Sequence, residues 1–242
     1  MKKTSYIKSA QRTLDIESKA LIKLSKNIGE DFSILCDALL SCKGKIITLG
    51  VGKSGHIAQK VSATLSSTGS PSYFIHATEA LHGDIGIISK KDNVLIFSHS
   101  GESREIIELI PSLKNIGCKI FSFTGHVESS IAKSTGINIS TEVDKEACPL
   151  DLAPTSSTTA ALALGDALAI ALLESRKFSP EDFAKSHPGG KLGRELTLKV
   201  KDIMHQGKNF PKVTSHTLVS KALVEISNKG LGIVAVIDKK KL

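Results

Sequence analysis

Five short apolar runs recur through the middle of this chain: Lys45–Gly50, Ser72–Ile75, Val94–Ser98, Lys119–Thr124 and Ile137–Ser140. Between them lie Gly- or Ser-rich turns and stretches with helical spacing. Runs that stay apolar at successive positions cannot turn one face to water. They predict an α/β architecture, with a parallel sheet covered by helices on both faces. In such a sheet ligands bind beyond the carboxyl ends of the strands, so the residues just after each run are where chemistry is expected.

The flanking segments fit this frame. Apolar positions at Ile7, Leu14, Ile16, Leu21, Leu24 and Ile28, then Phe32, Leu35 and Leu39, predict two leading helices over residues 4–40. A long Ala-rich helix is expected over about 158–175. Its apolar stretch Ala160–Leu173 is too short to span a bilayer and contains Asp166, so it reads as a buried helix. From Lys199 the composition changes, and Val213 to Asp238 suggests the strand–helix–strand start of another unit.

The net charge of +8 hints at nucleic acid until it is divided along the chain. Residues 1–45 carry +4, residues 46–186 carry −3 and residues 187–242 carry +7. The middle, which holds the motifs, is thus slightly acidic, unlike a nucleic-acid groove. Trp is absent and Tyr occurs twice, which argues against a base-stacking platform. Cys36, Cys42, Cys118 and Cys148 form no CxxC pair and read as reduced thiols. No apolar leader follows Lys2 and Lys3, so no signal peptide is expected. The expectation is a cytoplasmic protein without nucleic-acid or membrane partners.

Three turns carry candidate chemistry. Gly50-Val-Gly-Lys-Ser-Gly55 matches G-x-G-x-x-G, but the next strand ends Phe74-Ile75-His76, without the acid a dinucleotide ribose needs. A P-loop match fails because Ile47 stands where its first glycine belongs. What remains is a turn presenting backbone amides, Ser54 and Lys53 at a helix start, an anion site. Ser98-His-Ser-Gly-Glu-Ser103 offers three hydroxyls at a second helix start; ordinary turn formation accounts for one such loop, but two at strand ends point to phosphate. Glu105 follows within the next helix, where an acid also serves as a dipole partner. His82, in Ala80-Leu-His-Gly-Asp84, is equally compatible with a structural role. The third loop holds Glu146 beside Ala147-Cys-Pro-Leu150, then five hydroxyl residues, Thr155–Thr159, which capping alone could explain. His187 sits between Ser186 and Pro188-Gly189-Gly190, a placement that suits a positioned side chain or a hinge.

Taken together these elements resemble the sugar isomerase (SIS) domain, and specifically the arabinose-5-phosphate isomerase family. The matching segments are Gly50–Gly55, Glu79–Asp84, Ser98–Glu105, Lys145–Leu150, Ala153–Thr159 and Ser186–Gly190. The resemblance implies a three-layer, flavodoxin-like SIS domain over residues 41–198, with the helices of residues 1–40 packed on it. Residues 199–242 then resemble an incomplete first CBS repeat, where the family has two in tandem. It implies interconversion of ribulose 5-phosphate and arabinose 5-phosphate, the first step toward the Kdo sugar of lipopolysaccharide, by a homotetramer that needs no cofactor. Lys53, Glu105, Glu146 and His187 become the catalytic set. Gly52, Ser54, Gly69, Ser70, His82, Ser98, Ser100, Ser103 and Thr155 become substrate-binding residues, and His82 a site for inhibitory zinc.

Such an isomerisation moves a proton from C1 to C2 through an enediolate. It calls for a carboxylate base, a cation facing the oxyanion and an acid that cycles near neutral pH. Glu146 is favoured over Glu105 as base, Lys53 faces the enediolate, and His187 serves the oxygens or ring opening. A free glutamate titrates near about 4.3, so burial or a second carboxylate is expected to raise it. Two other readings compete. A non-catalytic sugar-phosphate sensor needs only the phosphate loops, and an oxidoreductase would use the glycine turn for a nicotinamide.

Overall fold

The computed structural model describes residues 3–188 and 198–238, and the chain divides into two compact units, Met1–Gly193 and Arg194–Leu242. Within the first, two leading helices, α1 (Lys3–Asn27) and α2 (Glu30–Leu40), precede five strands: β1 (Ile46–Gly50), β2 (Ser72–His76), β3 (Asn93–Ser98), β4 (Lys119–Thr124) and β5 (Ile137–Ser140). All five expected runs are strands, and all pair in parallel in the order β2-β1-β3-β4-β5. The connecting helices are α3 (Gly52–Ser67), α4 (Ala77–Leu81), α5 (Arg104–Ile116) and α6 (Ser130–Ser134). After β5 come α7 (Ser156–Ser175) and α8 (Pro180–Ser186).

The strands are buried on both sides because they alternate between two cores. Leu95, Phe97, Phe121 and Phe123 face Leu24, Leu35, Leu39, Val61, Leu65, Leu164 and Leu168 from α1, α2, α3 and α7. Their neighbours Ile47, Leu49, Val94, Ile96 and Ile120 face Ile106, Leu109, Leu113 and Ile131 from α5 and α6. Period-2 alternation with an apolar residue on each side requires a layer of helices on each face.

The long helix α7 has twenty residues, enough by length and composition to cross a bilayer. The argument that it is too short therefore does not hold. Packing decides the matter: Ala160, Leu164, Leu168, Ala169 and Leu172 lie in the core. Gly165 seats Val61 of α3 so closely that an added methyl would clash with Val61 Cγ2. Asp166, on another side of the helix, pairs with Lys60 at 2.5 Å. The four cysteines are free thiols.

In the second unit, α9 (Val200–Ile203) precedes β6 (Lys212–Val213), α10 (Val219–Lys229) and β7 (Ala235–Val236). The strand–helix–strand order is as expected, and the two strands pair in parallel. Leu223 and Val224 of α10 are exposed.

Candidate active site

The order β2-β1-β3-β4-β5 reverses direction between β1 and β3, and a ligand crevice opens beyond the strand ends at such a switch point. A cavity of about 290 Å³ lies there, with Phe97 and Phe123 as apolar lining. The two rings meet edge to face at 5.1 Å, so the central strands that build the core also build the site.

The β1–α3 turn requires its glycines. Gly52 has φ +56°, and a methyl at Gly50 would fall 2.9 Å from the Gly55 backbone, so the strand end lies against the helix start. This places Lys53 and Ser54 on the cavity wall. Val51 precedes α3 and has no side chain that could cap it. Among the described residues Lys53 makes no hydrogen bond or ion pair, although a cation is disfavoured at a helix N-terminus.

Opposite, Ser98 and Ser103 share a hydrogen bond at 2.9 Å, Gly101 N donates to Ser98 Oγ at 3.2 Å, and Glu102 N donates to Ser100 Oγ at 3.2 Å. The loop is held in shape before any ligand arrives. Ser103 precedes α5, yet its hydroxyl makes no capping bond to it. The Glu102 carboxylate turns aside to accept from Ser130 N at 2.8 Å, which lowers its pKa. The third wall, Pro154, Ser157 and Thr158, is the start of α7.

Of the expected residues, Lys53, Ser54, Ser98, Ser100 and Ser103 line this cavity. Glu146 does not; it lines a separate cavity with Arg12, Ile16 and Asp151 and bonds the start of α7. Its Oε2 accepts from Thr155 N at 2.7 Å, Thr155 Oγ1 at 2.9 Å and Ser157 N at 3.3 Å. Burial pushes its pKa up, but hydrogen bonds from Ser157 and Thr155 outweigh it and hold the carboxyl below the usual range. The raised carboxylate expected of a base is therefore not present here. Thr155, which also accepts from Ala147 N at 2.8 Å, clamps this loop to α7.

The remaining expected residues stand apart from the cavity within one chain. Glu105 is half-buried in the first turn of α5. Gly69 and Ser70 follow the far end of α3, roughly 24 Å along a sixteen-residue helix from Gly52. A methyl at Gly69 would fall 2.5 Å from Phe178, and Ser70 is buried with its hydroxyl unpartnered. His82 is exposed just after α4, and no group of three or more metal-ligating side chains gathers among the described residues. His187 ends α8, a helix started by the Ser179–Asp182 capping box; its ring stacks on Phe183 at 3.9 Å and its Nδ1 meets Phe183 O at 2.9 Å. Gly189 and Gly190 lie outside the described residues. His99, which no sequence pattern singles out, lines the cavity instead.

A cavity at the switch point, fringed by amides, serines and a lysine, defines a phosphosugar-binding α/β domain. The SIS domain model matches residues 39–171. The chain is 53% identical over 97% of its length to arabinose 5-phosphate isomerase KdsD of Pseudomonas aeruginosa, covering 72% of that protein. It is 48% identical over 96% to the Escherichia coli K12 protein of the same name, covering 71% of it. A solved E. coli CFT073 structure in complex with arabinose 5-phosphate superposes with TM-score 0.76 at 44% identity, over 78% of this chain and all of that one. The chain belongs to the SIS-domain family of arabinose 5-phosphate isomerases.

Proposed function

We propose that the chain interconverts D-ribulose 5-phosphate and D-arabinose 5-phosphate through an enediolate, supplying the first step toward Kdo and lipopolysaccharide. The observation that carries this reading is Lys53: an ammonium group, unpaired among the described residues, at a helix start beside Ser54 and facing the serine loop across a cavity. About 290 Å³ is at the lower end of small-ligand sites, which run about 300–1,000 Å³, and suits a phosphosugar better than a dinucleotide. β2 also ends in His76, not in an acid that would hold a nucleotide ribose.

In this reading the amides of α3 and α5 with Ser54, Ser98, Ser100 and Ser103 take the phosphate, and Lys53 faces the developing oxyanion. Glu146 serves as base by exchanging its bonds to α7 for the substrate, with Glu105 as its alternative. His187 handles proton traffic at the oxygens. Because Glu105, Glu146 and His187 lie off the cavity in one chain, the reading includes a homotetramer that completes the site. Exposed Tyr6, Ile7, Leu14 and Ile22 on α1 offer apolar surface for such contacts. Residues 199–242 are read as part of a CBS repeat, and the protein as cytoplasmic.

Incubation with ribulose 5-phosphate, without added metal or nucleotide, should yield arabinose 5-phosphate. Binding without turnover would replace the isomerase with a sensor.

A further inference from the structure

His99 is a titratable cavity residue that no role above employs. It follows buried Ser98 at the end of β3, and its ring is held on one side by the chain at the end of β4. Gly125 N donates to His99 O at 2.8 Å. A methyl group at Gly125 would fall 2.5 Å from both Cε1 and Nδ1 of the ring, so only glycine leaves room for the imidazole there. Nδ1 is buried and has no hydrogen-bond partner. Among the described residues Nε2 has none either, and the residue lines the cavity with Lys53 and the serines.

The tautomer follows from these positions. An N–H buried without an acceptor is the rarer and costlier orphan, so the imidazole proton belongs on Nε2 and Nδ1 keeps a lone pair. The ring is also kept neutral. Burial lowers its basicity, His126 at 5.8 Å adds to that, and the opposing charge of Glu146 does not reverse it. A neutral donor suits an oxygen that passes from carbonyl to oxyanion, since it stabilises the developing charge without a proton changing hands. The phosphate, by contrast, is served by two helix starts and their hydroxyls.

We propose that His99 donates from Nε2 to the sugar oxygen that gains charge during isomerisation, making it a further catalytic residue. This rests on the isomerase reading above. Two measurements test it. In ¹⁵N spectra of the side-chain histidines at pH 7.5, the resonance lost in His99→Gln should show a protonated Nε2, and it should shift when arabinose 5-phosphate is added. In steady-state kinetics His99→Leu should lower kcat by about 10²-fold with KM within about threefold, as for loss of one oxyanion donor. His99→Gln, whose amide can donate from nearly the same place, should recover about tenfold of that loss.

A proton on Nδ1, an imidazolium, or no shift on adding the phosphosugar overturns the proposal. So does a loss carried by KM, or a Gln variant no better than Leu. The spectra need only the unmodified protein and the marker variant, so they decide the contact even if His99→Leu fails to fold. If the unmodified chain does not turn over ribulose 5-phosphate, the isomerase reading fails separately, and the Nε2 shift still reports whether His99 meets the sugar phosphate.

Discussion

Three long helices turn their first residues toward the same cavity, and they are finished differently. α3 begins after Val51, which cannot cap, and α5 begins after Ser103, whose hydroxyl bonds to Ser98 instead. Their first amides are left to an incoming anion. α7 begins after Thr155, and its amides are occupied by the Glu146 carboxylate. A helix N-terminus carries roughly half a unit of positive charge, which must be matched from somewhere. One is matched by the chain itself, and in the reading proposed above the other two are left for the substrate phosphate. The difference separates the helix starts proposed to take the phosphate from the one the chain caps with its own carboxylate.

Variants at these positions sharpen or break that contrast. Lys53→Met should cost most, about 10³-fold in kcat/KM, because the ammonium group of the cavity wall is lost; a loss below tenfold would move the oxyanion elsewhere. Glu146→Gln should lower kcat by about 10²-fold, and a loss under tenfold would leave Glu146 only as the cap of α7. Glu146→Ala should in addition destabilise the fold by about 1–2 kcal/mol, read from a denaturant midpoint, because Thr155 and Ser157 amides lose their acceptor.

The acid side of the pH profile tests the same carboxylate. Its folded pKa lies below its unfolded one, so its stabilising contribution is complete above the unfolded value of about 4.3 and is lost as pH falls through the lower folded value. Melting curves of the unmodified protein and Glu146→Gln should therefore differ at pH 6 and converge below the carboxylate range. Ser103→Ala should raise KM about tenfold with kcat nearly unchanged, consistent with one hydrogen bond to a charged group. Smallest of all, ending the chain after Gly193 should change kcat by less than about twofold, because the cavity lies wholly in the first unit.

Much of the site was legible before the structure because its parts are local. Gly50 to Gly55 and Ser98 to Ser103 are strand-to-helix turns whose residue types state their own geometry. Glu146 was legible as an unusual acid but not as a helix cap, since its partners Thr155 and Ser157 lie nine and eleven residues on, across a loop. His99 lies inside the Ser98–Ser103 turn, but the turn reads as a set of hydroxyls and does not set the histidine apart. The place of its ring is set by Gly125, a helix and a strand away. Gly69 and His187, expected with the phosphate loops, stand elsewhere in one chain because α3 and α7 lead away from the cavity before they occur.

Periodicity and turn chemistry, both properties of neighbours, determined the five strands, their parallel sheet and the two turns that line the cavity from sequence alone. Which strands lie side by side, which helix starts stay open and which histidine meets the cavity were decided by tertiary packing. Those outcomes depend on contacts between segments far apart in the chain, and no local pattern encodes the distance between them.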